Sequence, residues 1–278
     1  MKKVLVTGGC GQLAKSFKSL FDDNYKLFVL DKEQLDITNI KQVEYFLKKN
    51  EPDIIINLAA MTNVDRCEND IDMAYKINGL SIKNFSQVFK GLFIQVSTDY
   101  VFDGYSGPYS ETAKTNPLSV YGKSKLLGED IVRDHFKDYL ILRTNILFDL
   151  SSKASFLSWV IKSLSNGENI NVVNDQINNP VSTDDMSNYI NFLIEKKMKG
   201  IFHIGSDTIC SRYEFACMIA ETWNLDIGKI KPISTKDLSI QLDSYLAERP
   251  LNSGLITEFL DMPTISLKNS LIKLSKSN

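Results

Sequence analysis

The feature that most constrains the fold is an apolar run near the N-terminus that leads directly into a cluster of glycines. Residues 3–6 read Lys-Val-Leu-Val, and residues 7–14 read Thr-Gly-Gly-Cys-Gly-Gln-Leu-Ala. A helical pattern follows, with Leu13, Phe17, Leu20 and Phe21 on one face. A strand, a glycine turn and a helix in this order are typical of the first unit of a dinucleotide-binding fold.

The glycine turn predicts a site for a pyrophosphate. Gly9-x-Gly11-x-x-Ala14 fits the dinucleotide fingerprint with alanine in its last place. Glycines let the backbone approach the phosphates, which then lie at the positive end of the helix. A plain strand-to-helix turn is the alternative, and the segments that follow decide between the two.

Asp31 ends the second predicted strand, residues 26–30, and follows Gly11 by 20 residues. At this spacing a carboxylate accepts hydrogen bonds from the hydroxyls of the adenosine ribose. Because a carboxylate would repel a 2′-phosphate, Asp31 favours NADH over NADPH. Lys32 weakens that preference, since its ammonium could pair with the phosphate, and Asp31 could also merely cap a turn.

Further apolar runs alternate with helical patterns up to residue 143. We predict strands at 53–60, 91–96 and 139–143 and helices at 40–49, 73–89 and 121–135. The nearly continuous apolar run at 53–60 is typical of a parallel strand that is buried on both faces. Ala59 and Ala60 at its end leave room for a flat ligand group. The pattern predicts an α/β fold with a Rossmann-type, doubly wound parallel sheet.

Composition excludes several classes of function. The 278 residues carry 32 Lys and Arg against 34 Asp and Glu, so neither nucleic acid nor a membrane surface is expected as a partner. No apolar run approaches the roughly 18 residues of a membrane span. The four cysteines and two histidines show no metal-ligand spacing, so we expect reduced thiols, a cytoplasmic location and no metal.

Tyr121 and Lys125 are four residues apart and would lie on one face of a helix. A free phenol has a pKa of about 10, which is too high for a good acid at neutral pH. An ammonium about 4 Å away, at an effective dielectric of about 20, would favour the phenolate by roughly 4 kcal/mol. The pair is a candidate proton donor, although the same spacing occurs on many surface helices.

The fourth predicted strand, residues 91–96, leads into two residues with hydroxyl side chains, Ser97 and Thr98. Thr98 precedes Tyr121 by 23 residues. At the carboxyl end of a parallel strand they would project into the ligand crevice. Alone, the two residues would indicate a turn.

Taken in order, Thr7-Gly8-x-x-Gly11-x-x-Ala14, Thr98 and Tyr121-x-x-x-Lys125 resemble the extended short-chain dehydrogenases/reductases. Longer segments are similar to the dTDP-4-dehydrorhamnose reductase family, and the likeness covers nearly the whole chain. These segments are residues 36–38, 57–65, 97–104, 116–125, 172–176, 179–180 and 249–253.

The resemblance implies reduction of the 4-keto group of a nucleotide-linked 4-keto-6-deoxyhexose by NADH or NADPH, with NADH slightly favoured, in polysaccharide biosynthesis. The first expectation is conversion of dTDP-4-dehydrorhamnose to dTDP-rhamnose. Tyr121 would donate the proton, Lys125 would lower the phenol pKa and hold the nicotinamide ribose, and Thr98 would bind the carbonyl oxygen. The cofactor residues would be Gly8, Gly11, Gln12, Leu13, Asp31, Asp36, Ile37, Ala59, Ala60, Thr62, Tyr121 and Lys125. The substrate residues would be Thr98, Asp99, Tyr100, Asn145 and Arg249.

Two points leave alternatives open. The family has a serine and a tryptophan of the sugar site where this chain has Asn145 and Ile146, so the sugar is not fixed. Arg249 suits a diphosphate because of its planar guanidinium, but it could equally form a structural ion pair.

Other functions are a regulatory dinucleotide-binding subunit, which the intact Thr98, Tyr121 and Lys125 argue against, and a nucleotide-sugar epimerase or dehydratase. Dehydratases of this superfamily carry an acid pair after the hydroxyl, which this chain lacks.

The alternation of strands and helices breaks up after residue 150. We predict a cofactor-binding domain at 1–150, joined by a returning segment at about 183–205 that includes a strand at 200–204. Residues 151–182 and 206–278 would form a small α+β cap over the substrate. His203, in the returning strand, is expected in the core. The resemblance also leaves a homodimer open, in which some members place magnesium, but no carboxylate pair stands out here.

Overall fold

The computed structural model describes residues 1–20, 25–152, 155–242, 247–258 and 263–277. The strands are β1 Lys2–Thr7, β2 Tyr25–Leu30, β3 Ile54–Asn57, β4 Leu92–Thr98, β5 Tyr139–Thr144, β6 Leu147–Phe148, β7 Ile170–Val173, β8 Ile177–Asn178, β9 Val181–Ser182, β10 Gly200–Ile204, β11 Cys210–Ser211 and β12 Ile230–Ile233. The helices are α1 Gln12–Leu20, α2 Ile40–Asn50, α3 Val64–Asn69, α4 Ile71–Asn78, α5 Lys83–Ser86, α6 Val120–His135, α7 Phe156–Ser165, α8 Thr183–Glu195, α9 Arg212–Thr222, α10 Thr235–Gln241 and α11 Leu267–Ser275.

Six strands form one parallel sheet in the order β10-β5-β4-β3-β1-β2. The chain adds β2 on one side of β1 and then places β3 on the other side, so the strand order reverses between β1 and β3. Such a reversal opens a crevice at the carboxyl ends of the strands, where α/β proteins bind ligands. The predicted Rossmann-type α/β fold is confirmed.

The sheet is buried on both faces because helices pack against each of them. Successive strand residues point to opposite faces and so contribute to different apolar clusters. Val4, Val6 and Ile56 pack in one apolar cluster with α1 and α8, while Leu5 and Ile55 pack in another with α2, α5 and α6. Full burial of such side chains contributes about 1.5–3 kcal/mol each. Leu13 and Phe17 of the predicted helix face lie in the first cluster. Phe21 lies outside the described residues, as does the side chain of Leu20.

The prediction of one continuous helix over 73–89 is wrong. The structure divides this segment into α4, a 3₁₀ turn at Leu80–Ile82 and the short helix α5. The break occurs at Gly79, where an added Cβ would lie 2.8 Å from Cδ2 of Leu127 on α6. Close packing of α6 against this point decides the path of the chain, and apolar spacing does not reveal it.

The second half of the chain forms short strand pairs and helices around a separate apolar cluster. β7 pairs with β12, β8 with β11 and β6 with β9, and the cluster includes Phe148, Phe215 and Leu271. β10 returns to the main sheet beside β5 as predicted, and His203 within it is buried. The domain boundaries themselves stay a prediction. Among the described residues, no helix is both long and apolar enough to span a bilayer.

Candidate active site

The glycine turn after β1 packs against the end of β3. Gly8 has φ +72°, and a Cβ there would lie 2.9 Å from the backbone N of Ala59, so only glycine fits. The turn closes with a hydrogen bond from Gly11 N–H to the Gly8 carbonyl at 2.9 Å. The first turn of α1 carries no acidic residue, so its N–H groups present a positive end to an anionic ligand.

A buried chain of polar side chains joins the strands on either side of the strand reversal. The Thr7 hydroxyl donates to Asn57 Oδ1 at 2.6 Å, and Asn57 Nδ2 donates to Gln95 Oε1 at 2.8 Å. The Thr7 oxygen also accepts from Ala59 N–H at 3.2 Å. We did not predict these hydrogen bonds from the sequence. Their mark in the sequence is a polar residue at or near the end of each of three apolar strands.

A cavity of about 810 Å³ opens at the carboxyl ends of β1, β3, β4 and β5. The predicted site residues that line it are Gly8, Gly11, Gln12, Leu13, Ala60, Thr62, Thr98, Tyr121, Lys125 and Asn145. Its other lining residues include Phe156, Trp159 and Arg212 from α7 and α9. The cavity is therefore bounded by the glycine turn on one side and by the second half of the chain on the other.

Tyr121 and Lys125 reach this cavity from the first turns of α6. Ser119 caps the helix by accepting from Gly122 N–H at 3.2 Å. A Cβ at Gly122 would lie 2.2 Å from the Tyr100 carbonyl oxygen, so glycine allows α6 to approach the end of β4. The rings of Tyr100 and Tyr121 meet edge to face with centroids 5.5 Å apart. This packing brings the Tyr121 phenol beside the Thr98 hydroxyl.

The electrostatics of the Tyr121 phenol differ from the expectation based on its spacing from Lys125. Burial raises the pKa of Tyr121 well above its ordinary value, and a hydrogen bond with Thr98 opposes this effect. Lys125 Nζ donates to the Val96 carbonyl at 2.6 Å, and burial lowers the pKa of this ammonium to about 8. We predicted that Lys125 lowers the pKa of the Tyr121 phenol. In the structure the effect of burial is larger, and the pKa of Tyr121 is raised. The phenol keeps its proton at neutral pH, as a proton donor must.

The residues implied for the adenosine half of the cofactor lie outside this cavity. Asp31 accepts hydrogen bonds from the backbone N–H groups of Glu33 and Gln34, both at 3.0 Å. Asp36 accepts from Thr38 N–H at 2.9 Å and so caps its own turn. The Ile37 side chain is buried in the apolar cluster with Leu5 and Ile55 and does not line the cavity, so its role in cofactor binding stays a prediction.

Three implied substrate residues are also placed away from the cavity wall. Arg249 donates to Asp65 Oδ2 at 2.6 Å and to the Ala247 carbonyl at 2.7 Å, so its guanidinium forms the structural ion pair that was the alternative. Asp99 is 2% exposed and lies behind Thr98. Tyr100 packs against Tyr121 without lining the cavity.

Arg212 is a site residue that our sequence analysis missed. It is the first residue of α9 and lines the cavity, where its Nε donates to Gln176 Oε1 at 3.1 Å and its guanidinium lies 5.8 Å from the centre of the Phe156 ring. The ion pairs formed within the described ranges do not include it. A cation in the first turn of a helix is unfavourable for the helix dipole. The position of Arg212 directly after the N-cap Ser211 is therefore the sequence signal that could have indicated a functional role.

Comparisons with known proteins agree with the fold. A family model described as "RmlD substrate binding domain" matches residues 1–269. The dTDP-4-dehydrorhamnose reductase of Aggregatibacter actinomycetemcomitans is 34% identical over 272 residues, which is 92% of this chain and 90% of that protein. The crystal structure of a dTDP-4-dehydrorhamnose reductase from Clostridium acetobutylicum superposes with a TM-score of 0.91 at 34% identity, covering 99% of both chains. That of Bacillus anthracis, solved in complex with NADP, gives a TM-score of 0.93 at 32% identity over 100% of both chains.

Proposed function

The chain belongs to the dTDP-4-dehydrorhamnose reductase family, the family of the RmlD substrate binding domain, and from this membership we propose that it reduces a nucleotide-linked 4-keto-6-deoxyhexose with NADH or NADPH. The first candidate substrate is dTDP-4-dehydrorhamnose, after which the relatives are named. The observation that carries the proposal is the convergence of Thr98, Tyr121 and Lys125 on one cavity with the glycine turn of β1 and α1.

In the proposed reaction, the bound cofactor supplies the hydride and the protein supplies position and protons. Tyr121 donates its phenolic proton to the ketone oxygen as that oxygen gains negative charge. The Thr98 hydroxyl donates a hydrogen bond to the same oxygen. Lys125 places a positive charge near the oxygen and the nicotinamide ribose. Each of these groups stabilises charge that develops during the reaction, which is the condition for accelerating it.

The experiment that tests the function offers the purified protein a panel of nucleotide-4-ketosugars with NADH and with NADPH. We expect oxidation of the reduced cofactor, followed by its absorbance, with dTDP-4-dehydrorhamnose among the fastest substrates. Tightly retained NAD⁺ with no net oxidation of added NADH would instead indicate an epimerase or dehydratase. Binding of a stoichiometric partner enzyme without any ketosugar reduction would indicate a regulatory subunit.

We propose a slight preference for NADH, which the carboxylate of Asp31 at the end of β2 would cause by repelling a 2′-phosphate. A unit charge about 4 Å from another in water-like surroundings costs about 1 kcal/mol, which is about fivefold in affinity. Asp31→Asn should therefore lower the ratio of kcat/KM for NADH over NADPH by about fivefold. Lys32→Gln is the matched control and should raise the ratio, because it removes a charge that attracts the 2′-phosphate. An unchanged ratio in both variants would remove these residues from the choice of cofactor.

We propose that Arg212 binds the diphosphate of the substrate in place of Arg249. Its guanidinium lines the cavity, forms no ion pair with the carboxylates of the described residues, and suits phosphate oxygens. A hydrogen bond to a charged group contributes about 1.5–3 kcal/mol, so Arg212→Gln should raise KM for the ketosugar by about 10- to 150-fold. kcat should change little, because the diphosphate is bound equally in the ground and transition states.

Arg249→Gln is the matched control for Arg212→Gln. This variant breaks the pair with Asp65 outside the cavity and should lower stability while leaving KM for the ketosugar within about twofold of wild type. The opposite pattern, with KM raised only in Arg249→Gln, would return the diphosphate site to Arg249.

Three further expectations belong to this proposal. We infer that residues 1–150 and 183–205 bind the cofactor, and that residues 151–182 and 206–278 cap the substrate. The separate apolar cluster of the second half supports this division. The family resemblance leaves a homodimer open, which light scattering of the purified protein would test. The expectation of reduced thiols leads us to infer a cytoplasmic location.

A further inference from the structure

A buried carboxylate lies directly behind the candidate catalytic threonine. Asp99 and Ser253 are each 2% exposed. Asp99 Oδ1 accepts from the Thr98 hydroxyl at 3.0 Å, and Oδ2 accepts from the Ser253 hydroxyl at 2.5 Å. Ser253 belongs to the C-terminal part of the chain, where its backbone N–H donates to the Ile177 carbonyl at 2.9 Å. One carboxylate therefore links the second half of the chain to a hydroxyl of the reaction site.

The hydroxyl of Thr98 has one proton, for which two acceptors compete: Asp99 Oδ1 and the ketone oxygen of the proposed substrate. A hydroxyl has one donor proton and two acceptor positions. The Thr98 oxygen accepts from Tyr100 N–H at 3.2 Å, and its proton is given to Asp99 Oδ1. The Tyr121 phenol also hydrogen-bonds the Thr98 hydroxyl, through the remaining acceptor position of the Thr98 oxygen, until it turns to the ketone. While that proton is held by Asp99, Thr98 has none to offer to a ketone oxygen in the cavity. The proposed reaction, however, asks Thr98 to donate to that oxygen.

We propose that Asp99, held by Ser253, is a positioning residue whose protonation decides whether the Thr98 hydroxyl donates to the carboxylate or to the substrate ketone. The proposal rests on the proposed reductase function. When Asp99 takes a proton, Oδ1 no longer accepts from Thr98 and instead donates to the Thr98 oxygen. The Thr98 proton is then free to turn toward the cavity, so that the ketone oxygen faces two donors, Thr98 and Tyr121.

The position of the proton on Asp99 follows from the partners of its two oxygens. Within the described ranges, the Ser253 hydroxyl has Asp99 Oδ2 as its hydrogen-bond partner and no other. Ser253 therefore continues to donate to Oδ2, and the added proton resides on Oδ1, the oxygen that faces Thr98. Ser253 thus selects the oxygen through which Asp99 acts.

The surroundings of Asp99 favour a change of protonation in the range where enzymes work. Burial raises the pKa of Asp99 to about 6, against the lowering effects of the hydrogen bonds from Ser253 and Thr98 and of the Arg212 charge. The titratable groups near Asp99 include the phenols of Tyr121 and Tyr100. The ammonium of Lys125, one turn along α6 from Tyr121, is held by the Val96 carbonyl. The buried pair of Glu129 and Arg143 lies beyond Lys125.

The test is the pH profile of kcat/KM for the ketosugar at saturating reduced cofactor, from about pH 5 to about pH 8. This parameter reports groups of the enzyme before the sugar binds. In the wild type we expect a fall of about 10- to 100-fold as pH rises through about 6, the effect of losing a hydrogen bond to a developing charge. The diphosphate of a nucleotide sugar is already fully ionised in this range and contributes no inflection.

Two variants separate positioning from a merely structural role. In Asp99→Asn the amide donates permanently to Thr98, so the inflection should vanish and the activity should stay near the acid plateau. In Ser253→Ala the carboxylate loses a hydrogen bond that favours its ionised form, so the inflection should move to higher pH. An Asp99→Asn profile that matches wild type, or a variant that is folded but inactive at every pH, would overturn the proposal. If Asp99→Asn does not fold, an unmoved inflection in Ser253→Ala would overturn it.

An infrared titration keeps this inference separate from the proposed function. A protonated buried carboxyl gives a C=O band, which in the wild type without ligands should disappear as pH rises through about 6 and should be missing in Asp99→Asn. Absence of that band in the wild type would overturn the proposal whatever the protein reduces. If the band is present but no ketosugar is reduced, the proposed function fails and the titration of Asp99 stands.

Discussion

Replacing Tyr121 with phenylalanine should lower kcat for ketosugar reduction by about 10²–10⁴-fold, the usual contribution of a positioned proton donor. The change removes one oxygen and keeps the ring that packs against Tyr100. Reduced cofactor should still bind, because the glycine turn and the N-terminus of α1 are untouched. Single-turnover absorbance gives the rate of the chemical step, and titration of the fluorescence of bound NADH gives the affinity.

The matched control for this variant is Tyr45→Phe on α2, where the phenol is removed from a side chain that is 67% exposed and does not line the cavity. Its kcat should equal that of wild type. If Tyr121→Phe also turns over at the wild-type rate, the proton comes from elsewhere. Thr98→Val would then be the next variant to examine, since Thr98 holds the other hydroxyl at the ketone position.

The raised pKa of Tyr121 changes how the role of Lys125 is understood. In the protein alone, burial dominates, so the phenol is a weak acid that keeps its proton until charge develops beside it. The ammonium of Lys125 donates a hydrogen bond to the Val96 carbonyl and lines the cavity, so it can also contact a ligand there. A group that contributes mainly when charge appears on the substrate stabilises the transition state more than the ground state, which is what raises kcat.

The glycine turn and the Tyr121–Lys125 pair could be predicted from the sequence because local backbone and helix geometry fix them. Gly8 is required by its positive φ, and four-residue spacing on α6 puts two side chains on one face. Such constraints depend only on neighbouring residues, so they appear in the sequence as short motifs.

The roles of Arg249, Arg212 and Asp99 could not be predicted in the same way because distant segments decide them. Arg249 pairs with Asp65, a residue 184 positions earlier, whereas Arg212 on α9 lines the cavity. Asp99 accepts a hydrogen bond from Ser253, which is 154 positions later. Sequence spacing does not specify which of the two arginines pairs with a carboxylate. Assigning a role to each arginine therefore requires the folded structure.

The largest effect on stability is expected at the buried ion pair between α6 and β5. Arg143 donates from Nη2 to Glu129 Oε2 at 2.7 Å and from Nε to Oε1 at 3.0 Å, with both side chains almost fully buried. Glu129 also accepts from the Ser97 hydroxyl at 2.5 Å, and Arg143 lies 5.2 Å from the centre of the Phe102 ring. These contacts compensate two charges that would otherwise be costly to remove from water.

Arg143→Met should lower the free energy of unfolding by about 3–5 kcal/mol, because it leaves the Glu129 carboxylate buried without its partner. Urea unfolding with linear extrapolation measures the change. Lys199→Met is the matched control, since it breaks the ion pair of Lys199 with Asp138 at the surface, where both side chains are substantially exposed. That variant should change stability by less than about 1 kcal/mol.

The double variant Glu129→Met/Arg143→Met decides whether the loss in Arg143→Met comes from the orphaned charge or from lost packing. If the charge is the cause, removing the second partner should recover much of the stability, since apolar side chains of similar volume can replace a buried pair at little cost. A double variant less stable than Arg143→Met would show that the pair itself, with Ser97 and Phe102 around it, stabilises the fold. Glu129 also lies one turn from Lys125 on α6 and raises the pKa of that ammonium. A stable double variant should therefore still lose activity. The loss of activity caused by deprotonation of Lys125, whose pKa in the wild type is about 8, should begin at lower pH in this variant.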